Sequence, residues 1–172
     1  MLEVGCGNGW MCRALADIPM SEVKGADING TELSQAKRVF SHIQNLEFIP
    51  GSINAPGIKG EKFDCIVFAS SIQYFASIPE IINLSLQKLK PGGELHILDS
   101  PFYQPGEVSA ARKRTADYFT KIGSSEMTAF YFHHDLEELH EYQYKILYKP
   151  TIYNRYFLNN KNPFPWICIF KS

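Results

Sequence analysis

The chain has 172 residues, enough for one domain with a substantial core and too few for two. It is 45% hydrophobic and 20% charged, as globular domains are, and its formal net charge of -1 excludes the basic footprint of a general nucleic-acid binder. The sequence shows no signal peptide, bilayer-spanning apolar run or lipidation motif. We therefore expect a cytoplasmic protein whose partners include neither nucleic acid nor a membrane.

The cysteines and the basic run of this sequence do not indicate a metal site or a nucleic-acid site. Cys6, Cys12, Cys65 and Cys168 form no CxxC pair and show no metal-ligand spacing, which predicts free thiols in a reducing compartment and no metal site. The basic run 112–114 is short, and it is predicted to be the solvated face of a helix.

Apolar stretches alternate with helical patterns along the first hundred residues. Strands are predicted at 1–5, 23–28, 46–49, 63–68 and 94–98. Helices are predicted from Trp10 to Ile18, over 31–43 behind an N-cap at Asn29, and from Pro79 to the Pro91-Gly92-Gly93 stop. This alternation predicts right-handed crossovers and a doubly wound α/β fold, a mostly parallel sheet with helices on both faces.

The pattern is looser beyond Ser100. A helix over 107–121 and a short one over 135–141 are predicted, followed by strands at 142–148 and 166–170 around a loop rich in Asn and Pro. No repeat or linker interrupts the chain, so residues 1–172 are predicted to form a single domain.

The first strand leads into a glycine-rich stretch, Glu3-x-Gly5-x-Gly7-x-Gly9. It lacks the spacing of a phosphate-binding P-loop, and the third glycine of a dinucleotide fingerprint would fall on Trp10. Side chains alternate along a strand, so Glu3 points to the same side as Gly5, where it would repel a pyrophosphate by about 1–4 kcal/mol. The stretch therefore favours a cationic ligand, with a helix N-terminus available for a carboxylate.

A second acidic residue, Asp27, ends the second strand twenty residues beyond Gly7. In open α/β sheets a carboxylate at this position accepts hydrogen bonds from a ribose diol. The two acids and the glycine turn together describe a nucleoside that carries a cationic amino-acid tail, and S-adenosylmethionine fits that description.

Five stretches in succession, LEVGCGNG, GADIN, FIPGSI, FDCIVFASSIQYF and LKPGGELHILD, resemble the motifs of class I S-adenosylmethionine-dependent methyltransferases. They cover about residues 1–100 in the family's order. The resemblance implies a Rossmann-like seven-stranded sheet in the order 3-2-1-4-5-7-6 with the last strand antiparallel. Family members usually have helices before the first strand, whereas this sequence starts inside it. We expect a trimmed sequence, and the alternative is a minimal family member with an open pocket.

The resemblance also implies a set of cofactor-binding positions. These are Glu3, Gly5, Cys6, Gly7, Gly9, Asp27, Ile28, Ser52, Ile53, Ala69 and Ser70. Asp27 would bind the ribose hydroxyls, Ile28 and Ile53 would cover the two faces of the adenine, and Ala69 and Ser70 would offer backbone groups to the methionine end. Many family members have Gly-Asp where this chain has Gly51-Ser52, so the Ser52 hydroxyl would replace a carboxylate at the adenine amino group.

The residues that could act on a methyl acceptor remain open. Ala69-Ser-Ser-Ile-Gln-Tyr74 lacks the Asn/Asp-Pro-Pro-Tyr/Phe pattern typical of methylation at base or glutamine amino groups, and Ser71, Gln73 and Tyr74 either face a substrate or serve capping and packing. His133 and His134 are candidates for a general base or, less simply, metal ligands. The alternative is structural: Asp135 as the N-cap of a helix and Glu138 as its capping-box partner. His96, within the fifth strand, is predicted to be a packed, hydrogen-bonded core residue.

We therefore predict an S-adenosylmethionine-dependent methyltransferase that acts on a small molecule by in-line displacement. Two alternatives stay open: an S-adenosylmethionine-binding domain with little or no activity, and a methyltransferase of protein or RNA. Aromatic residues that follow the fifth strand border the acceptor site in this fold, which favours an apolar or planar acceptor unless they only fill the core. They are Phe102, Tyr103, Tyr118, Phe119, Phe130, Tyr131 and Phe132.

Overall fold

A computed structural model of the protein describes residues 1–151 and 162–171. Its strands are β1 (Leu2–Val4), β2 (Val23–Asp27), β3 (Leu46–Pro50), β4 (Phe63–Ala69), β5 (Leu89–Leu98), β6 (Phe102–Tyr103), β7 (His134–Asp135), β8 (Tyr144–Tyr148) and β9 (Trp166–Phe170). Its α-helices are α1 (Trp10–Ala16), α2 (Gly30–Val39), α3 (Ile78–Lys88) and α4 (Val108–Lys121). Part of the Asn- and Pro-rich loop before β9 lies outside the described residues.

One seven-stranded sheet organises the fold, in the order β3-β2-β1-β4-β5-β9-β8. Strands β1 to β5 pair in parallel, and β9 runs antiparallel to both of its neighbours. Counted along the chain within this sheet, β8 and β9 are the sixth and seventh strands, so the predicted arrangement is confirmed. Strands β6 and β7 form a separate parallel pair that the sequence analysis did not predict.

Two hydrophobic clusters cover the two faces of the sheet. Leu2 and Val4 join the larger cluster together with Ile81 and Ile82 of α3. The smaller cluster contains Cys12 of α1 and residues of α2. Alternation along β1 therefore sends Glu3 to the face that α1 covers.

Several predicted boundaries need correction. Helix α3 ends at Lys88, and β5 already begins at Leu89, so the Pro91-Gly92-Gly93 stretch belongs to a strand. Helix α2 ends at Val39, before residue 43. The short helix predicted over 135–141 is a 3₁₀ turn over Leu136–Leu139.

The carboxyl ends of β1, β2, β3 and β4 meet at one edge of the sheet, which we call the carboxyl edge. Ligands bind at this edge in open α/β sheets. Among residues 1–151 and 162–171, no helix has both the length and the apolar run needed to cross a bilayer.

Candidate functional site

The glycine loop connects β1 to α1 and depends on left-handed backbone. Gly5, Gly7 and Gly9 have φ values of 75°, 51° and 81°. A Cβ on Gly5 would lie 2.5 Å from Cβ of Ser71, and one on Gly9 would lie 2.5 Å from the Phe48 ring. These two glycines therefore let the loop pack closely onto the ends of neighbouring strands.

Asp27 holds the glycine loop in place. Its Oδ2 accepts a hydrogen bond from the Gly7 backbone N–H at 2.7 Å, and its Oδ1 accepts one from Asn29 N–H at 2.7 Å. Each carboxylate oxygen has two lone pairs, so both keep a second acceptor position. Sequence reasoning placed Asp27 near a ribose but missed this backbone clasp, for which the spacing between Gly7 and Asp27 was the available signal.

Glu3 is buried beneath the glycine loop, and its contact with the methionine part of the cofactor stays a prediction. It is 2% exposed, and its Oε2 accepts a hydrogen bond from the Cys12 thiol at 2.8 Å. Burial raises the pKa of the Glu3 carboxyl from 4.5 to about 7, the Cys12 hydrogen bonds oppose that rise, and the Asp27 charge adds to it. The reason is α1, whose Cys12 packs directly over this face of β1.

The two residues expected to enclose an adenine ring differ in exposure. Ile28 is 84% exposed and stands open beside Asp27, as a ring-covering residue would. Ile53 is 2% exposed and packs in the larger core cluster, and its contact with the second face of the adenine stays a prediction. Together with half-buried Ser52, it borders a cavity of about 220 Å³.

Two serines join the ends of β1, β4 and β5. Ser71 Oγ donates to the Val4 carbonyl at 2.6 Å, and Ser70 Oγ donates to the Asp99 carbonyl at 3.0 Å. Ser70 has a φ of 53°, a strained value for a residue with a side chain, and strain of this kind often marks functional positions. Ala69, just before it, is buried.

Of the three residues in this loop that are candidates to face a substrate, only Tyr74 is exposed. Gln73 is 6% exposed, its Nε2 donates to the Ser70 carbonyl at 2.7 Å, and its Oε1 is buried without a hydrogen-bond partner among the described residues. Ser71 is 3% exposed and tied to Val4. Tyr74 is 51% exposed at the carboxyl edge, so it is the candidate that a substrate can touch.

The histidine pair serves mainly to fix the segment before the 3₁₀ turn. His134 is 3% exposed, with Nε2 2.9 Å from the Phe75 carbonyl and Nδ1 3.3 Å from Glu138 Oε1. Asp135 and Glu138 form the predicted capping box, which is confirmed. Both ring nitrogens of His134 have partners, so its contacts favour the structural alternative, and a role as general base is not tested by them.

His133 is buried beside α4, with Nε2 2.8 Å from the Thr115 hydroxyl. Burial lowers the pKa of His133 below 6.5, and the nearby Arg112 lowers it further. A neutral imidazole at neutral pH is able to accept a proton, so His133 stays a candidate base by protonation state alone. The run 112–114 on α4 is exposed, which confirms its prediction as a solvated helix face.

Glu94, His96 and Cys168 place their potential ligand atoms within 4.8 Å of one another. The Trp166 indole N–H donates to His96 Nδ1 at 3.0 Å, so Nδ1 is unprotonated and Nε2 carries the proton toward Glu94 Oε2 at 3.1 Å. In this tautomer neither nitrogen is free for a metal. The group is a hydrogen-bond chain across β5 and β9. His96 is hydrogen-bonded as predicted, but it is half-buried and belongs to neither core cluster of the described residues.

Comparison with known proteins agrees with this architecture. The sequence profile described as "Methyltransferase domain" matches residues 2–97. Over 98 residues the chain is 30% identical to the ubiquinone biosynthesis O-methyltransferase of Chelativorans sp., a match that spans 56% of this chain and 38% of that protein. The chain therefore spans well under two thirds of this relative.

Solved structures share the whole fold at low sequence identity. The YcgJ protein of Bacillus subtilis superposes with a TM-score of 0.73 at 14% identity, covering 99% of this chain and 91% of that one. The plantazolicin methyltransferase BpumL, solved in complex with a desmethyl-plantazolicin analogue and S-adenosylhomocysteine, gives 0.65 at 15% identity, covering 99% and 76%.

The chain is similar to each of these proteins, and the similarity to the solved structures supports the fold alone. The profile match is different in kind, because it covers more than half of the residues and includes the glycine loop and Asp27. The chain therefore belongs to the methyltransferase domain family, and its resemblance to the class I S-adenosylmethionine-dependent methyltransferases is confirmed.

Proposed function

We propose that this protein binds S-adenosylmethionine at the carboxyl edge and transfers its methyl group to a small-molecule acceptor. The observation that carries the proposal is the Gly7–Asp27 clasp, which sets a left-handed glycine loop beside a carboxylate that still has acceptor positions. The BpumL neighbour, whose structure holds S-adenosylhomocysteine, supports the choice of cofactor.

The residues present fit this cofactor in parts. Asp27 would accept hydrogen bonds from the ribose hydroxyls with its remaining lone pairs, and exposed Ile28 would cover one face of the adenine. Ser52 would lie near the adenine end, and Ala69 and Ser70 would lie at the methionine end. The glycine loop would supply close backbone contact, while Cys6 would pack inward with its buried side chain.

Glu3 would act through charge from beneath the loop. Bound S-adenosylmethionine supplies an electrophilic methyl on a sulfonium. A buried carboxylate near that cation stabilises it more than a solvated one would, because the surroundings screen the charge less. Cys12 keeps its proton, since its hydrogen bond with Cys6, burial and the Glu3 charge all raise its thiol pKa, and it donates to Glu3.

Methyl transfer in line with the sulfonium needs alignment and exclusion of water more than it needs an acid or a base. The loops after β4 and β5 would provide that alignment, because Ser70 and Ser71 tie them to each other and to β1. His133 would accept a proton only if the acceptor must lose one early. We further propose a cytoplasmic location, which the free thiols Cys6, Cys12, Cys65 and Cys168 support.

Calorimetry with S-adenosylmethionine, S-adenosylhomocysteine and NAD tests cofactor binding, and we expect affinity for the first two only. Turnover is then measured on a panel of hydroxylated and amine metabolites, with a protein and an RNA substrate as comparators. Tighter binding of NAD would overturn the cofactor assignment. Cofactor binding without turnover would favour a binding domain, and turnover confined to protein or RNA would overturn the small-molecule acceptor.

A further inference from the structure

A continuous series of aromatic rings leads away from the carboxyl end of β4. The Tyr74 ring lies 5.8 Å from the Tyr131 ring, which lies 6.1 Å from Phe119, which lies 5.5 Å from Tyr118. All three contacts are edge-to-face, an arrangement that aromatic pairs prefer. We call these four residues the ring series.

The ring series is open to solvent at both ends. Tyr74 is 51% exposed and Tyr118 is 59% exposed, whereas Phe119 and Tyr131 are half-buried. Phe130, in the 3₁₀ turn that packs against α4, is 62% exposed. A contiguous exposed apolar patch often marks a binding surface, whereas single exposed apolar residues are ordinary.

Helix α4 shows why these rings are open. Ala111 is its one buried residue, and Val108 and Thr115 on the same side are half-buried. Farther along this side, Tyr118 and Ile122 are exposed, whereas Phe119 is half-buried against Tyr131. The side of α4 that packs at its start is therefore only partly covered at its end.

Core filling does not account for the ring series. None of its four members belongs to either hydrophobic cluster of the described chain. Its inner end, in contrast, is built into the proposed reaction site. Tyr74 follows the Ser70–Ser71 loop directly. The backbone carbonyl of Gln73 joins that loop to the neighbouring segment, because it accepts a hydrogen bond from Phe132 N–H at 2.8 Å.

We infer that the methyl acceptor is an amphiphile whose reactive polar end lies near Tyr74 and whose extended apolar part lies along the ring series. This inference rests on the proposed function, since it assigns the acceptor of the same site. The inner end of the series is continuous with the loop that would hold the methyl donor, and this continuity favours a substrate over a second protein as the occupant.

The test uses ethyl, butyl, octyl and dodecyl esters of 3,4-dihydroxybenzoate, kept below their micelle concentrations, with S-adenosylhomocysteine present. These probes share one hydroxylated head and differ only in apolar length. We expect the affinity, measured by calorimetry, to rise about threefold to fourfold for each methylene that the ring series buries.

Tyr118→Ser combined with Phe130→Ser should flatten this dependence on chain length and leave S-adenosylhomocysteine affinity unchanged. Met20→Ser is the matched control, because Met20 is fully exposed at the opposite edge of the sheet and its loss should change neither quantity. Both sites are on the surface, so the variants should fold, and cofactor affinity verifies that they do.

An affinity independent of chain length in the unaltered protein would overturn the inference, as would a chain-length dependence that survives the double substitution. Sedimentation supplies a further outcome: self-association that the double substitution abolishes, without ester binding, would assign the surface to a second copy instead. Failure of S-adenosylhomocysteine to bind the unaltered protein would contradict the proposed function. The dependence of ester affinity on chain length could still be measured in that case, so the two failures can be distinguished.

Discussion

Asp27 combines two tasks in one carboxylate. It accepts hydrogen bonds from the N–H groups of Gly7 and Asn29, and it would also accept hydrogen bonds from a ribose. Removing it therefore disturbs the shape of the loop as well as a direct ligand contact. The effect on cofactor affinity should accordingly exceed the effect of losing a single hydrogen bond.

We expect Asp27→Ala to weaken S-adenosylhomocysteine binding by about 2–4 kcal/mol, as the loss of two charge-assisted hydrogen bonds would. Calorimetry measures the affinity, and circular dichroism verifies the fold. Asp64→Ala is the control, because Asp64 is an exposed acid that pairs with Lys90 away from the glycine loop. An unchanged dissociation constant in Asp27→Ala would show that Asp27 contacts no ligand.

Glu3 links the charge of the site to pH. Because its pKa is raised to about 7 in the folded protein, the stability that protonated Glu3 contributes is fully present below pH 4.5 and is lost as the pH rises through 7. Glu3→Gln keeps the neutral form at every pH. The melting temperature of Glu3→Gln minus that of the unaltered protein should therefore increase from pH 5 to pH 8.

The same carboxylate predicts how the protein discriminates between its two cofactor forms. S-adenosylmethionine carries a sulfonium and S-adenosylhomocysteine a neutral thioether, so ionisation of Glu3 favours the former. The affinity for S-adenosylmethionine divided by the affinity for S-adenosylhomocysteine should rise as the pH increases through 7 in the unaltered protein. In Glu3→Gln this ratio should not change with pH. Calorimetry across this range measures the ratio, and a pH-independent ratio in the unaltered protein would contradict the role of Glu3.

At the scale of elements, the glycine loop offers a test with a built-in control. Gly7→Val places a β-branched residue at a φ of 51°, which costs about 1–3 kcal/mol and blocks close approach of a ligand to the backbone. Gly60→Val imposes similar strain at a φ of 80°, with no atom within 4 Å of the added Cβ. We expect calorimetry to show lost cofactor binding in Gly7→Val alone; equal binding by both variants would remove the loop from the site.

Most elements could be predicted from the sequence because their signals are local. Asn29 caps α2 by accepting from Thr31 N–H and Glu32 N–H, and Pro79 lies in the first turn of α3. Continuous apolar runs such as that of β4 predicted buried strands. Hydrophobic period and capping chemistry are properties of neighbouring residues, so they can be seen before the fold is known.

What the sequence could not predict depends on distant partners. The pairing of β6 with β7 joins residues on either side of α4, and no local sequence pattern predicts this pairing. Glu3 is covered because Cys12 of α1 packs over it, and Ile53 is buried because it meets core residues from other strands. The glycine motif itself was visible, whereas the exposure of its neighbours required the packed molecule.

At the scale of the whole molecule, the two edges of the sheet differ in kind. The amino ends of the strands border a cavity of about 530 Å³ that is lined by several oppositely charged side chains, among them Lys24, Glu61 and Lys90. Lys24 already pairs there with Glu61 and Glu47. The carboxyl edge instead carries the strained backbone and the glycine loop, so we place the chemistry there although its cavities are smaller.

Ligand binding at that edge should stabilise the entire domain. S-adenosylhomocysteine at a hundred times its dissociation constant should add about 2.7 kcal/mol, which corresponds to a rise in melting temperature of about 5–10 °C for a chain of this size. Differential scanning calorimetry measures the shift. NAD should cause none, and Lys24→Ala should retain the full shift; loss of the shift in that variant would move the site to the amino edge.

The small β6–β7 pair has a consequence for how such a protein changes over evolutionary time. Phe102 pairs with His134 and Tyr103 with Asp135, so the excursion that contains α4 leaves and returns at adjacent strands, about 4.8 Å apart. A stretch with adjoining ends can be lengthened, shortened or exchanged without moving what it is attached to. The segment between β6 and β7, which contains α4 and three of the four members of the ring series, could therefore change in length or sequence while the glycine loop and Asp27 keep their positions.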